Sequence, residues 1–140
     1  MNVDPNKKLT WESKQEYQYR QKTQIIVIKL KEGLSILQEA NKNLNLDYDK
    51  PKKIFEDALN LVKNNIPKTY SISNQKVITA VTCYIKACEI LKNAVTSKDT
   101  KSIYRASNKI QEGNIYFELS KLKLWQDVDR RVTRNNKRGK

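Results

Sequence analysis

Apolar positions recur at helical spacing in four stretches of the chain. In the longest, Ile103, Ile110, Phe117 and Leu124 return every seven residues, and Ala106, Gly113 and Ser120 follow at the same interval three places on. That pattern predicts a long helix with a narrow packing seam, running on into the basic end of the chain. A preceding helix, beginning at Ser73 or Asn74 and ending near Val95, carries Ala80, Ala87 and Ala94 beside Val81, Cys88 and Val95. Small residues on both seams let two helix axes approach closely, and Gly113 is expected against Ala87. The short link at residues 96–99 predicts that the two helices form an antiparallel hairpin.

Two further helices precede these. Thr10 is a plausible N-cap for the first, which is expected to run to about Asn43. From Ile25 onward this helix carries Ile26, Leu30, Leu34 and Leu37, whereas its first half offers only Trp11, Tyr17 and Tyr19 as large apolar-bodied residues. An Asn- and Asp-rich break over residues 41–49 ends it, and Asp49 with Pro51 restarts the helix, since Pro is tolerated in a first turn. The second helix, residues 52–65, places Ile54, Phe55, Ala58, Leu59, Val62 and Ile66 on one side, and Pro67 stops it.

Together these elements predict an all-α fold: a four-helix up-down bundle in a single domain, residues 1–134, followed by a basic disordered tail, residues 135–140. The first and fourth helices, each roughly 50 Å long at 1.5 Å per residue, outreach the middle pair. They are expected to project as an antiparallel, coiled-coil-like two-helix stem. With paired residue numbers summing to about 143 in such a bundle, Trp125 falls near Gln18 and Trp11 near Val132. Trp11, Tyr17, Tyr19 and Trp125 would then form an aromatic cluster sealing the stem, with Glu12 and Glu16 opposite Arg130, Arg131 and Arg134.

Charge adds a candidate working end. The 140 residues carry a formal net charge of +13, of which +4 falls in the last sixteen. A Lys- and Asn-rich chain acquires some of this through codon bias, but such an excess also draws a protein toward nucleic acid, anionic surfaces or an acidic protein face. The candidate residues for contact with a polyanion or acidic partner are Arg20, Lys22, Arg130, Arg131, Arg134, Lys137 and Arg138. Lys and Arg neutralise phosphates, and neighbouring aromatics can stack on bases.

The residue types on which most catalysis depends are sparse. There is no His, no Gly-rich phosphate loop and no nucleophile-elbow or metalloprotease motif. Cys83 and Cys88 lie five apart, on different faces of one helix and roughly 8–9 Å apart, too far for a disulfide. With no His nearby they read as small core residues rather than metal ligands. The expectation is a protein without enzymatic activity, metal, cofactor or small-molecule substrate. No apolar run approaches the roughly 20 residues of a transmembrane helix, and residues 1–8 lack an apolar signal core. A cytoplasmic location is expected unless an export signal has been removed.

Two functions fit these features. One is a nucleic-acid-associated accessory protein of the kind carried by bacterial phages, plasmids or other mobile elements, binding by backbone charge. The alternative is a protein-interaction module (an adaptor, inhibitor or immunity protein) acting through a helical face, with homodimerisation through the aromatic half of the first helix as one form.

Overall fold

The computed structural model describes residues 6–39, 47–97 and 99–138, with the side chains of residues 100 and 132–138 left out. Among the described residues the chain is all helix and turn: α1 (Lys14–Gln38), α2 (Asp49–Leu61), a 3₁₀ turn (Lys68–Tyr70), α3 (Ser71–Ser97) and α4 (Thr100–Arg138). None of these helices is long and apolar enough to cross a membrane.

α1 starts three residues later than an N-cap at Thr10 would set it, because Ser13 is the better cap. Its hydroxyl accepts from the Glu16 N–H at 3.0 Å while the Glu16 carboxylate accepts from the Ser13 N–H at 2.9 Å. This reciprocal box satisfies two of the donors that a helix start leaves open. Residues 9–12 instead form a turn closed by Glu12 N–H donating to Leu9 O. At its other end α1 stops at Gln38, five residues before the expected boundary, and the polar break at residues 40–46 lies outside the described residues.

α2 begins at Asp49, with Pro51 in its first turn, and ends at Leu61 rather than Asn65. Asn65 takes a left-handed backbone, φ 59°, which an Asn tolerates at a helix exit. The chain then tightens through the 3₁₀ turn into α3. α3 begins at Ser71 rather than at Ser73 or Asn74, and Asn74 lies buried inside it, where its Nδ2 donates to Val62 O at 3.0 Å and its Oδ1 accepts from the Tyr19 hydroxyl at 2.9 Å. One side chain thus ties the exit of α2 to α1.

The closest packing is between α3 and α4. Ala80, Ala87, Ala94, Ala106, Gly113 and Ser120 are all buried, as the two small-residue seams require. A Cβ on Gly113 would stand 2.6 Å from the Tyr84 ring and 3.1 Å from Ala80 O, so its neighbours are Tyr84 and Ala80 rather than the expected Ala87. A second close approach occurs at Gly33 of α1, where a Cβ would meet the Phe55 ring at 2.6 Å. Cys83 and Cys88 are free and buried. Burial pushes the Cys88 thiol up to about 12, which leaves it a protonated, core-filling group at neutral pH.

α1 packs on α2 and α2 on α3, but α1 and α4 make no comparable backbone approach. Their side chains meet in reverse order: Leu34 and Leu37 share a hollow with Ile103 and Ile110, and Ile26 and Val27 share another with Phe117 and Leu124. At the far end Glu16 meets Arg131. The helices are not alone there. Ile66 and Tyr70, from the α2–α3 connection, enter the same cluster as Tyr19, Leu124 and Val128. α4 itself is helical to Arg138, four residues into the stretch expected as a disordered tail, because no Gly or Pro interrupts it before Gly139.

Candidate polyanion interface

The basic end is built around two buried carboxylates. Glu12 accepts from Arg20 Nε at 2.6 Å and Nη2 at 2.7 Å, and from the Leu9 N–H at 2.8 Å. Tyr70 donates its hydroxyl to the same carboxylate at 3.4 Å. Arg20 Nη2 also donates to Lys7 O at 2.8 Å, so one guanidinium fastens the residues before α1 onto the helix. The hydrogen bond to Glu12 outweighs burial in holding the Arg20 pKa above its ordinary value.

Arg20 is therefore no surface contact. Sequence marks it as a partner-facing cation, yet only 2% of it is exposed, because a desolvated Arg is stable when a carboxylate answers its planar fork. Lys22 is half-buried and donates to Asn64 O at 3.4 Å. Arg130 is exposed. Arg131 is half engaged: it lies over the Trp11 ring at 4.6 Å and donates from Nη1 to Glu16 at 3.5 Å and to the Thr69 hydroxyl at 3.3 Å. Arg134, Lys137 and Arg138 belong to α4, and their side chains lie outside those described.

Glu16 shows how the site sets its own charge. Burial pushes its carboxyl up, but hydrogen bonds from the Ser13 N–H and the Thr69 hydroxyl, with the Arg131 charge, more than compensate and hold it below the ordinary value of 4.5. Both acids near the start of α1 are thus buried in pairs with arginines, Glu12 with Arg20 and Glu16 with Arg131, rather than exposed negative charges.

The aromatic residues come together only in part. Tyr19 is buried and stacks on Tyr70 with ring centroids 5.6 Å apart, and Trp11 and Trp125 pack against their cluster. Tyr17 lies apart, its hydroxyl donating to Asn6 O at 2.9 Å and its ring 5.6 Å from the Arg20 guanidinium. Trp125 shares a hollow with Thr23 and Gln24, and Tyr70 joins the same cluster from the α2–α3 turn. Much of the aromatic half of α1 is accordingly occupied by packing within the chain. Tyr70, Thr69 and Asn74 are the contributors that sequence reasoning missed, and their role depends on a long-range approach that no local pattern announces. The capping box Ser13–Glu16 was the one available signal for the start of this end.

Three segments converge here: residues 6–22, 62–76 and 121–138. They carry net formal charges of +3, +3 and +5, together +11 of the chain's +13. Lys7, Lys8, Lys14, Lys63, Lys68 and Arg130 are exposed on them. Of their four acids, Glu12 and Glu16 are buried in ion pairs and Asp127 is held by Lys123 at 3.1 Å, while Asp129 is exposed. Among the described residues there is no group of three His, Cys, Asp or Glu side chains placed to hold a metal ion. Comparison with protein-family models, with curated proteins and with solved structures returned no match.

Proposed function

We propose that the protein is a non-catalytic, cytoplasmic nucleic-acid-associated accessory protein that binds phosphate backbones through this basic pole. The helices are taken to follow one another up and down, so that the start of α1, the α2–α3 turn and the end of α4 share one end of a bundle. The observation that carries the reading is the segregation of charge. Codon bias scatters lysines over a surface, whereas here most of the excess gathers at one end and most of the local acids are turned inward. A field of that kind steers a polyanion to the pole and raises its encounter rate.

Recognition by backbone charge makes affinity strongly dependent on salt and indifferent to sequence. Each neutralised phosphate lowers log K by about 0.9 per decade of salt on duplex DNA. Binding through four to six cations therefore predicts a slope of about −4 to −5. Anisotropy of labelled single-stranded and duplex oligonucleotides of unrelated sequence, titrated over a range of salt, tests this. Absence of binding at low salt, or a slope shallower than about −1, would sink the proposal.

A further inference from the structure

We infer that the trough between α1 and α4 docks an amphipathic helix of an acidic partner protein. Two hollows lie in line along that boundary. One, of about 260 Å³, is lined by Leu34, Leu37, Leu91, Ile103 and Ile110. The other, of about 130 Å³, is lined by Ile26, Val27, Val77, Phe117, Leu124 and Trp125. α3 supplies the floor of both through Leu91 and Val77.

The shape fits a helix rather than a small ligand. Each hollow is smaller than the roughly 300–1,000 Å³ of a drug-sized pocket. From Ile103 to Trp125 the pair spans about 33 Å of α4 at 1.5 Å per residue, the length of a helix of about 20 residues. Side chains at i, i+3, i+4 and i+7 of such a helix would reach the hollows in turn.

Charge selects the occupant. Lys121 lines the trough, its ammonium 4.7 Å above the Phe117 ring and 2.8 Å from Glu118. Lys31 is exposed and, three and four residues from Leu34 and Val27, stands on the trough side of α1. At Trp125 the trough opens onto the pole that carries +11. A basic helix is repelled along this path, and a second copy of the chain brings another +13. Nucleic acid offers no apolar stripe to cover the Leu, Ile, Val and Phe side chains of this lining. An apolar stripe flanked by carboxylates meets both demands.

The test uses the intact chain, methyl-labelled, and a synthetic peptide of about 20 residues with Leu at i, i+3, i+4 and i+7 positions and Glu between them. One control scrambles the same residues to break the stripe, and another replaces Glu by Lys. The expected result is shifts of the Val27, Leu34 and Ile110 methyls and the Trp125 indole, with binding about tenfold tighter than for either control. Lys31→Glu, an exposed change outside the three segments of the pole, should weaken it about threefold or more while leaving oligonucleotide binding at the pole intact. Equal binding of the scrambled peptide, shifts confined to the pole, concentration-dependent shifts of these methyls without peptide, or displacement of the peptide from them by duplex DNA would each overturn the inference.

Discussion

Arg20 and Glu12 form a two-pronged ion pair, 2.6 and 2.7 Å long, that is sealed from solvent at the basic end. The pair joins the residues ahead of α1 to the helix, and Tyr70 adds the α2–α3 turn to the same carboxylate. A buried charge left without its partner is far more costly than the intact pair is stabilising. Glu12→Gln should therefore destabilise the fold by about 3–5 kcal/mol, measured by urea unfolding. Replacing both residues together with apolar ones of similar size should cost much less; an additive double mutant would show that the two do not act as a pair.

The lowered Glu16 pKa has a consequence for stability with a definite sign. A carboxylate whose folded pKa lies below its unfolded value stabilises the fold above the unfolded value, and that contribution is lost as pH falls through the folded one. The difference in stability between the natural chain and Glu16→Gln should be level from neutral pH down to about the ordinary value of 4.5 and shrink below it. Urea midpoints measured over that range give the comparison. A difference that grows on acidification would contradict the Ser13, Thr69 and Arg131 contacts.

How much of the fold is legible in the chain itself depends on the range of the interaction. The α3–α4 packing was legible because the seven-residue repeats of Ala80, Ala87 and Ala94 and of Ala106, Gly113 and Ser120 encode a local period. The start of α2 was legible from Pro51. Arg20 was not, since its partner lies eight residues back, across a turn that reverses the lead-in, and a cation in a polar half-helix reads as solvated. Tyr70 was hidden for a similar reason: only tertiary structure brings a residue of the α2–α3 turn between α1 and α4.

Gly113 offers a sharp check on the closeness of α3 and α4. Ala is the better helix former by about 1 kcal/mol, so an open site would gain stability from Gly113→Ala. Here the new methyl would press on the Tyr84 ring and on Ala80 O, and overpacking should prevail with a net loss of about 1–3 kcal/mol. Thermal unfolding decides the sign, and a raised Tm would mean the two helices stand further apart.

Thiol chemistry reports on the same core. With the Cys88 thiol buried and raised to about 12, its alkylation at neutral pH should wait for opening of the fold, whereas the unfolded chain reacts freely. Iodoacetamide labelling followed by mass spectrometry, with and without urea, measures the contrast. Rapid modification of Cys88 in the native protein would place it outside the packed interior.

The central claim concerns where charge sits rather than how much there is. Neutralising Lys14, Lys68 and Arg130 to Gln removes three exposed cations from the pole, and neutralising Lys50, Lys101 and Arg105 removes three of the same kinds away from it. Both triple variants lose the same net charge. Duplex affinity and its salt slope, measured side by side, should fall much further for the first, with the slope reduced by about 0.9 for each phosphate that is no longer neutralised. Equal losses in the two variants would mean that net charge alone drives binding and that the pole is no site.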